Sequence, residues 1–128
     1  MLNEQELELL SLMDYQVLNN GMFGWLSNHC YENIFDYISI LNKRNSLLDQ
    51  QVATIFKKAT LAGLVFHQYN NSRFIPEFEE ITSDAEKKLE ECGKQYGKIA
   101  EEFMRSYGLE DYLSKFENNF KLSDESNQ

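Results

Sequence analysis

The sequence predicts an all-α fold, a single compact domain built as a helical bundle of five or six helices. Three observations predict it. Pro76 is the one proline in 128 residues and the six glycines are scattered, which leaves too few breaks for many short strands. Apolar residues recur at steps of three and four along most of the chain, the spacing of a helix face. An apolar share of 42% with 13% aromatic residues is that of a chain with a core, and the length suits one domain. Residues 1–120 form the expected helical domain, and 121–128 read as a polar, disordered tail.

The first helix is expected over Glu4 to Leu18. Asn3 caps it with Glu6 three residues on, a capping-box spacing, and Leu7, Leu10, Met13 and Val17 fall on one face. Asn19-Asn20-Gly21 ends it, because Asn and Gly reach left-handed backbone at little cost. Met22, Phe23, Trp25 and Leu26 then crowd into a turn or short helix plugged into the core. Asn28 starts the next helix, with Tyr31, Ile34, Phe35, Ile38 and Leu41 as its stripe, and Lys43-Arg44-Asn45 stops it.

Ser46, with Asp49 three residues on, caps the most apolar helix, whose stripe is Leu48, Val52, Ile55, Ala59, Ala62 and Phe66. It is expected to be central. His67 to Pro76 reads as a polar loop exposing Phe74 and Ile75. Thr82 or Ser83 caps a long helix with a near-heptad seam of Ala85, Leu89, Cys92, Tyr96, Ile99 and Phe103. Gly93 and Gly97 beside that seam each cost about 1 kcal/mol against Ala, which a close backbone approach would offset. Gly108 breaks the helix, and a short one is expected at Glu110 to Phe120.

Charge is laid out unevenly. Residues 1–42 carry six acids and no Lys or Arg, 43–76 carry five bases against Asp49, and 77–128 carry fourteen acids against seven bases, for a net −9. That asymmetry speaks of partners, not of fold. Neither a basic n-region nor a long apolar run opens the chain, so no signal peptide or membrane anchor is expected and the predicted location is cytoplasmic. In that compartment Cys30 and Cys92 read as reduced thiols.

Enzyme chemistry finds little support. His29 and Cys30 are adjacent, hence about 100° apart on a helix, and cannot form a dyad with each other. His67 would reach Cys30 only if the fold brought them together. No metal-ligand spacing, phosphate loop or dinucleotide fingerprint occurs, and no metal or cofactor is expected. Lys43, Arg44, Lys57 and Lys58, with Tyr69 and Arg73, make a basic patch, but the net charge opposes direct nucleic-acid binding.

The acids of the long helix offer the leading partner-binding surface: Glu77, Glu79, Glu80, Asp84, Glu86, Glu90, Glu91, Glu101 and Glu102. Helical i,i+4 positions are about 6 Å apart along the axis. Duplex DNA carries about one charge per 3.4 Å on each strand, so two rows of helix carboxylates approximate a phosphate ladder. Glu4, Glu6 and Glu8 form a second candidate surface. The competing reading is that these charges keep a helical protein in solution, with Lys87, Lys88, Lys94 and Lys98 as intrahelical partners.

At Leu18-Asn19-Asn20-Gly21-Met22-Phe23 the sequence resembles the Asn-Gly-Gly-Phe signature of a small bacterial family of acidic, helical DNA-mimic proteins. Asn20, Gly21 and Phe23 match its Asn, first Gly and Phe. Met22 stands in place of the second Gly, Trp25 where a Gln is usual, and His29 where an Asn is expected. The resemblance implies a helical protein that occupies the DNA-binding surface of a transcription factor, with the motif turning the chain between helices. In composition the chain also resembles products of low-GC bacteria and their phages, among them anti-CRISPR and other anti-defence inhibitors.

The function expected is therefore a non-enzymatic acidic inhibitor or regulator whose partner is a nucleic-acid-binding protein, with no direct nucleic-acid contact and no membrane. The alternative is a helical structural or oligomerisation module, a possible homodimer, with the seam and Gly93/Gly97 as self-interface and Phe74, Ile75 and Phe78 covered by a second copy.

Overall fold

A computed structural model describes residues 2–70 and 77–109, and among them there are four α-helices, one 3-10 turn and no strand. The helices are α1 (Glu4–Ser27), α2 (Ile34–Arg44), α3 (Leu47–Asn70) and α4 (Phe78–Ser106), with the 3-10 turn at Cys30–Asn33. The bundle is all-α as expected, but the count of five or six helices is corrected to four. The plug at Met22 to Leu26, expected as a turn or short helix, is helical; it follows a non-helical break at Gly21 and is counted as the second arm of α1. The expected short helix at Glu110 to Phe120 and the tail at 121–128 lie outside the described residues, as do Phe74 and Ile75 of the expected loop.

Local chemistry sets most of the boundaries. At the start of α1 the Asn3 side chain accepts from the Glu6 amide (2.8 Å) and Glu6 accepts from the Asn3 amide (3.1 Å), the reciprocal capping box. Ser46 and Asp49 repeat it at α3: the Asp49 amide donates to Ser46 Oγ (3.2 Å) and the Ser46 amide to Asp49 Oδ2 (2.9 Å). Asn45 ends α2 in left-handed backbone at φ 51°. At the end of α4, Gly108 takes φ 69°, and the Leu109 and Gly108 amides donate back to Met104 (3.0 Å) and Arg105 (2.9 Å). This is a Schellman closure, with Leu109 buried behind it.

Three starts and stops differ from expectation: Asn28 does not start a helix but ends α1, and α2 begins at Ile34 after the 3-10 turn. Thr82 and Ser83 do not cap α4, which begins at Phe78 after Glu77; the Thr82 hydroxyl instead bonds the Glu79 carbonyl within the helix (3.2 Å). His67 to Asn70 are the last turn of α3, not loop. The phase of α2 is also corrected. Ile34, Tyr37, Ile40 and Leu41 face inward, whereas Phe35 is 86% exposed.

Gly21 interrupts α1 at φ 73°, ψ 177°, a region open essentially to glycine alone. The break swings the second arm so that Trp25 is fully buried, its Nε1 donating to Met13 Sδ (3.3 Å). The arm also brings Met22 against α4, its backbone nitrogen 3.8 Å from where a Cβ on Gly93 would stand. The close approach expected at both α4 glycines thus holds at Gly93; a Cβ on Gly97 would meet nothing within 4 Å. Gly21→Ala is expected to cost about 1–3 kcal/mol, read as a lower urea midpoint. Gly21→Asn should not rescue it, since Asn favours left-handed helical backbone with ψ far from 180°. Wild-type stability in either variant would refute the kink.

α3 and α4 form the most extensive pairing, α1 lies across α4, and α2 packs on α3. Their common centre is aromatic: Phe56 of α3 meets Trp25 of α1 (ring centroids 5.5 Å), Tyr37 of α2 (4.8 Å) and Tyr96 of α4 (5.2 Å). The expected seam of α4 lies in this core, with Ala85, Leu89, Cys92, Tyr96 and Phe103 all buried. It is consumed within one chain and is not a free self-interface.

Candidate partner-binding face

All nine acids singled out in the sequence are exposed, Glu77 at the start of α4 and the other eight along it. The helix projects them because Ala85, Leu89, Cys92, Tyr96 and Phe103 hold its opposite side in the core. At about 100° per residue the eight divide into two rows. Glu79, Glu86, Glu90 and Glu101 occupy one flank, and Glu80, Asp84, Glu91 and Glu102 the other. Between the rows, along the outermost ridge, run Lys87, Lys94, Lys98 and Arg105. The rows centre about 115° apart around the helix, so they are separated by less than its full width of about 10–12 Å.

The carboxylates are only partly neutralised. Lys88 Nζ lies 3.2 Å from Asp84 and Arg105 Nη2 2.6 Å from Glu101, both exposed i,i+4 pairs, which contribute about 0.3–0.5 kcal/mol each. Over α4 eight acids stand against five bases. The face is acidic, but with a cationic ridge that a phosphate ladder does not have.

At the second candidate surface Glu4 and Glu8 are exposed, while Glu6 bonds Lys43 of α2. The Lys43 ammonium and the Asn3 amide hold the Glu6 carboxyl below its ordinary 4.5. The expected basic patch is therefore divided. Arg44 grips Asp49 through Nε (2.7 Å) and Nη2 (2.9 Å), donates to Ser106 at the end of α4 (2.9 Å to its carbonyl), and stacks 3.8 Å over the Tyr107 ring. Tyr107 completes the clasp by donating to Asp49 Oδ1 (2.6 Å). Desolvation pushes the Asp49 carboxyl up, but Arg44, Tyr107 and Ser46 together outweigh it and hold it below 3.8. Lys57 and Lys58 remain exposed on α3; Arg73 lies outside the described residues.

No family model, curated protein or solved structure matches the chain.

Among the described residues no hydrogen bond joins a cysteine to a histidine. Cys30 is buried and its Sγ donates to the Asn28 carbonyl (3.9 Å); His67 packs beside Tyr31 (ring centroids 6.1 Å). Burial pushes both cysteine thiols up, away from the thiolate a nucleophile needs. Among the described residues no three His, Cys, Asp or Glu side chains are placed to hold a metal ion, and no helix is long and apolar enough to cross a membrane.

One polar cluster escaped the sequence reading. Asp14 of α1 is fully buried and accepts from the Tyr96 hydroxyl of α4, while its Oδ2 has no partner among the described residues; the buried Tyr37 of α2 stands beside them, its hydroxyl interacting with Tyr96. Desolvation pushes the Asp14 carboxyl up to about 6, with the Tyr96 bond pulling against it. Burial likewise raises both tyrosines well above 10. A signal was available, because Asp14 stands four residues after Leu10 and three before Val17, on the apolar stripe itself.

Proposed function

We propose that the protein is a non-enzymatic, cytoplasmic acidic inhibitor or regulator that occupies the basic nucleic-acid-binding surface of a partner protein. A transcription factor or a bacterial defence nuclease such as a CRISPR effector is the kind of partner meant. The observation that carries this reading is the display of eight exposed carboxylates in two rows on one continuous helix. At about 1.5 Å per residue the 29 residues of α4 extend roughly 43 Å, the length of about a dozen base pairs. A basic cleft that binds DNA would meet carboxylates along both exposed flanks of one helix. The cationic ridge adds a condition: the surface that fits has two basic borders with neutral or acidic groups between them. The likeness at Asn20, Gly21 and Phe23 to the DNA-mimic signature points the same way.

The test is capture from lysate of the source cell or host on immobilised protein, with duplex DNA as competitor and mass spectrometry as readout. A nucleic-acid-binding protein is expected, released by DNA and by 1 M salt, where screening shortens to about 3 Å. Glu86→Lys with Glu90→Lys and Glu101→Lys should reduce its capture at least tenfold while the helical circular dichroism stays unchanged. Capture that ignores DNA, salt and all three reversals would refute the reading.

A further inference from the structure

An apolar groove of about 450 Å³ runs along the seam between the later half of α3 and the first half of α4. On its α3 side Leu61 is 65% exposed and Val65 39%, with Leu64 (50%) outside the lining on the adjoining helix face, and the three fall within about 100° of one another around the helix. Ala62 and Cys92 line the groove, and Lys58, Asp84, Lys88 and Glu91 rim it. Three large aliphatic side chains beside an apolar groove, within a polar rim, are the composition of a protein-binding patch.

Charge identifies the occupant. The chain carries net −9, so two copies repel wherever their acidic faces meet. At this rim two cations stand against two anions, and that repulsion is locally cancelled. A two-fold contact joins the same patch on both molecules and needs a surface complementary to itself. A neutral rim has that property: with Asp84 and Lys88 paired within each copy, Lys58 of one copy can meet Glu91 of the other. The basic partner proposed above would find as many cations as anions there and gain no electrostatic attraction.

We propose that the α3–α4 groove is a homodimer interface, in which Leu61, Leu64 and Val65 of each copy enter the groove of the other. Asp84 and Glu91 then belong to the dimer contact. The row formed by Glu79, Glu86, Glu90 and Glu101 remains on the outside, one on each copy, so the dimer presents that row twice. The dimer takes up Asp84 and Glu91 of the second acidic row, so in the dimer the partner reading rests on the first row alone.

Sedimentation equilibrium of the full chain, from low micromolar to sub-millimolar concentration, tests it. The mass should rise with concentration toward twice the 15.1 kDa of one chain. Leu61→Asp should give a monomer throughout, with the wild-type unfolding midpoint at concentrations where the wild type is itself monomeric, since that side chain is largely exposed. Lys58→Glu with Lys88→Glu should weaken the dimer at least tenfold by making the rim wholly acidic. Adding Asp84→Lys and Glu91→Lys to that pair should restore it. A wild-type monomer at every concentration would overturn the proposal, as would a dimer indifferent to these changes. A monomeric wild type that Leu61→Asp destabilises would overturn it too, showing that the chain covers its own groove.

Discussion

Asp14→Asn will stabilise the protein above pH 6 and do little near pH 4. The wild-type carboxyl sits fully buried between Tyr96 and Tyr37, with, among the described residues, one hydrogen-bond donor and an unpartnered Oδ2. Its folded pKa is raised from 3.8 to about 6, so the folded state holds the proton more tightly than the unfolded state does. Stability attached to this group is complete below about pH 4 and declines as pH rises toward 6. Above that the full penalty applies, because the folded protein must carry an ionised acid in its core. At about 1.4 kcal/mol per pKa unit the penalty is about 3 kcal/mol, or roughly 10 °C in unfolding midpoint for a chain of this size. Asn is neutral at every pH and can still accept from Tyr96. Glu6 and Asp49, whose carboxyls are held low by their partners, act in the opposite direction. Their contribution is present above their unfolded values near 4 and is lost as pH falls. They are common to both proteins and cancel in the difference. Thermal unfolding at pH 4, 6 and 8 reads the result, and a variant–wild-type difference that does not grow between pH 4 and pH 8 would remove Asp14 as a titrating core group.

What could be read from the sequence was what neighbours decide. The boxes at Asn3/Glu6 and Ser46/Asp49, the left-handed stop at Asn45 and the glycine closure at Gly108 each involve residues within a few positions of one another, and each formed as expected. The seam of α4 was legible because its other faces are polar. α2 was not, since Ile34, Phe35, Tyr37, Ile38, Ile40 and Leu41 put apolar groups on nearly every side, and the tertiary contact of Tyr37 with Phe56 set the phase. The acidic residues could be found, but not their separation into two rows by a ridge of lysines, which depends on which side of α4 the core takes. Arg44 read as part of a cationic surface because its partners, Ser106 and Tyr107, are some sixty residues away.

Phe56→Ala is expected to carry the largest cost of any single substitution in the core. Phe56 is fully buried, and among the described residues it joins all four helices through rings, touching Trp25, Tyr37 and Tyr96 from α1, α2 and α4. Truncation of a buried Phe costs about 3–5 kcal/mol in transfer free energy and residual cavity, and the edge-on ring pairs contribute about 0.5–1.5 kcal/mol each. Rigid rings on three different helices cannot collapse together into the space, which places this site toward the upper end of that range. Against a total stability of about 5–15 kcal/mol, the variant should unfold at far lower urea. Phe56→Leu, which keeps most of the volume, should cost clearly less, and Phe35→Ala, on a side chain 86% exposed, about 0.5 kcal/mol or less. Phe56→Ala within about 1 kcal/mol of wild type would show that the helices are not held at this point. Because Tyr96 anchors the inner side of α4 through the same contact, partner capture should fall with loss of folded protein in Phe56→Ala. In the Glu86, Glu90 and Glu101 reversals it should fall with the fold intact, and that contrast separates the charge on the outside of α4 from the core that aims it.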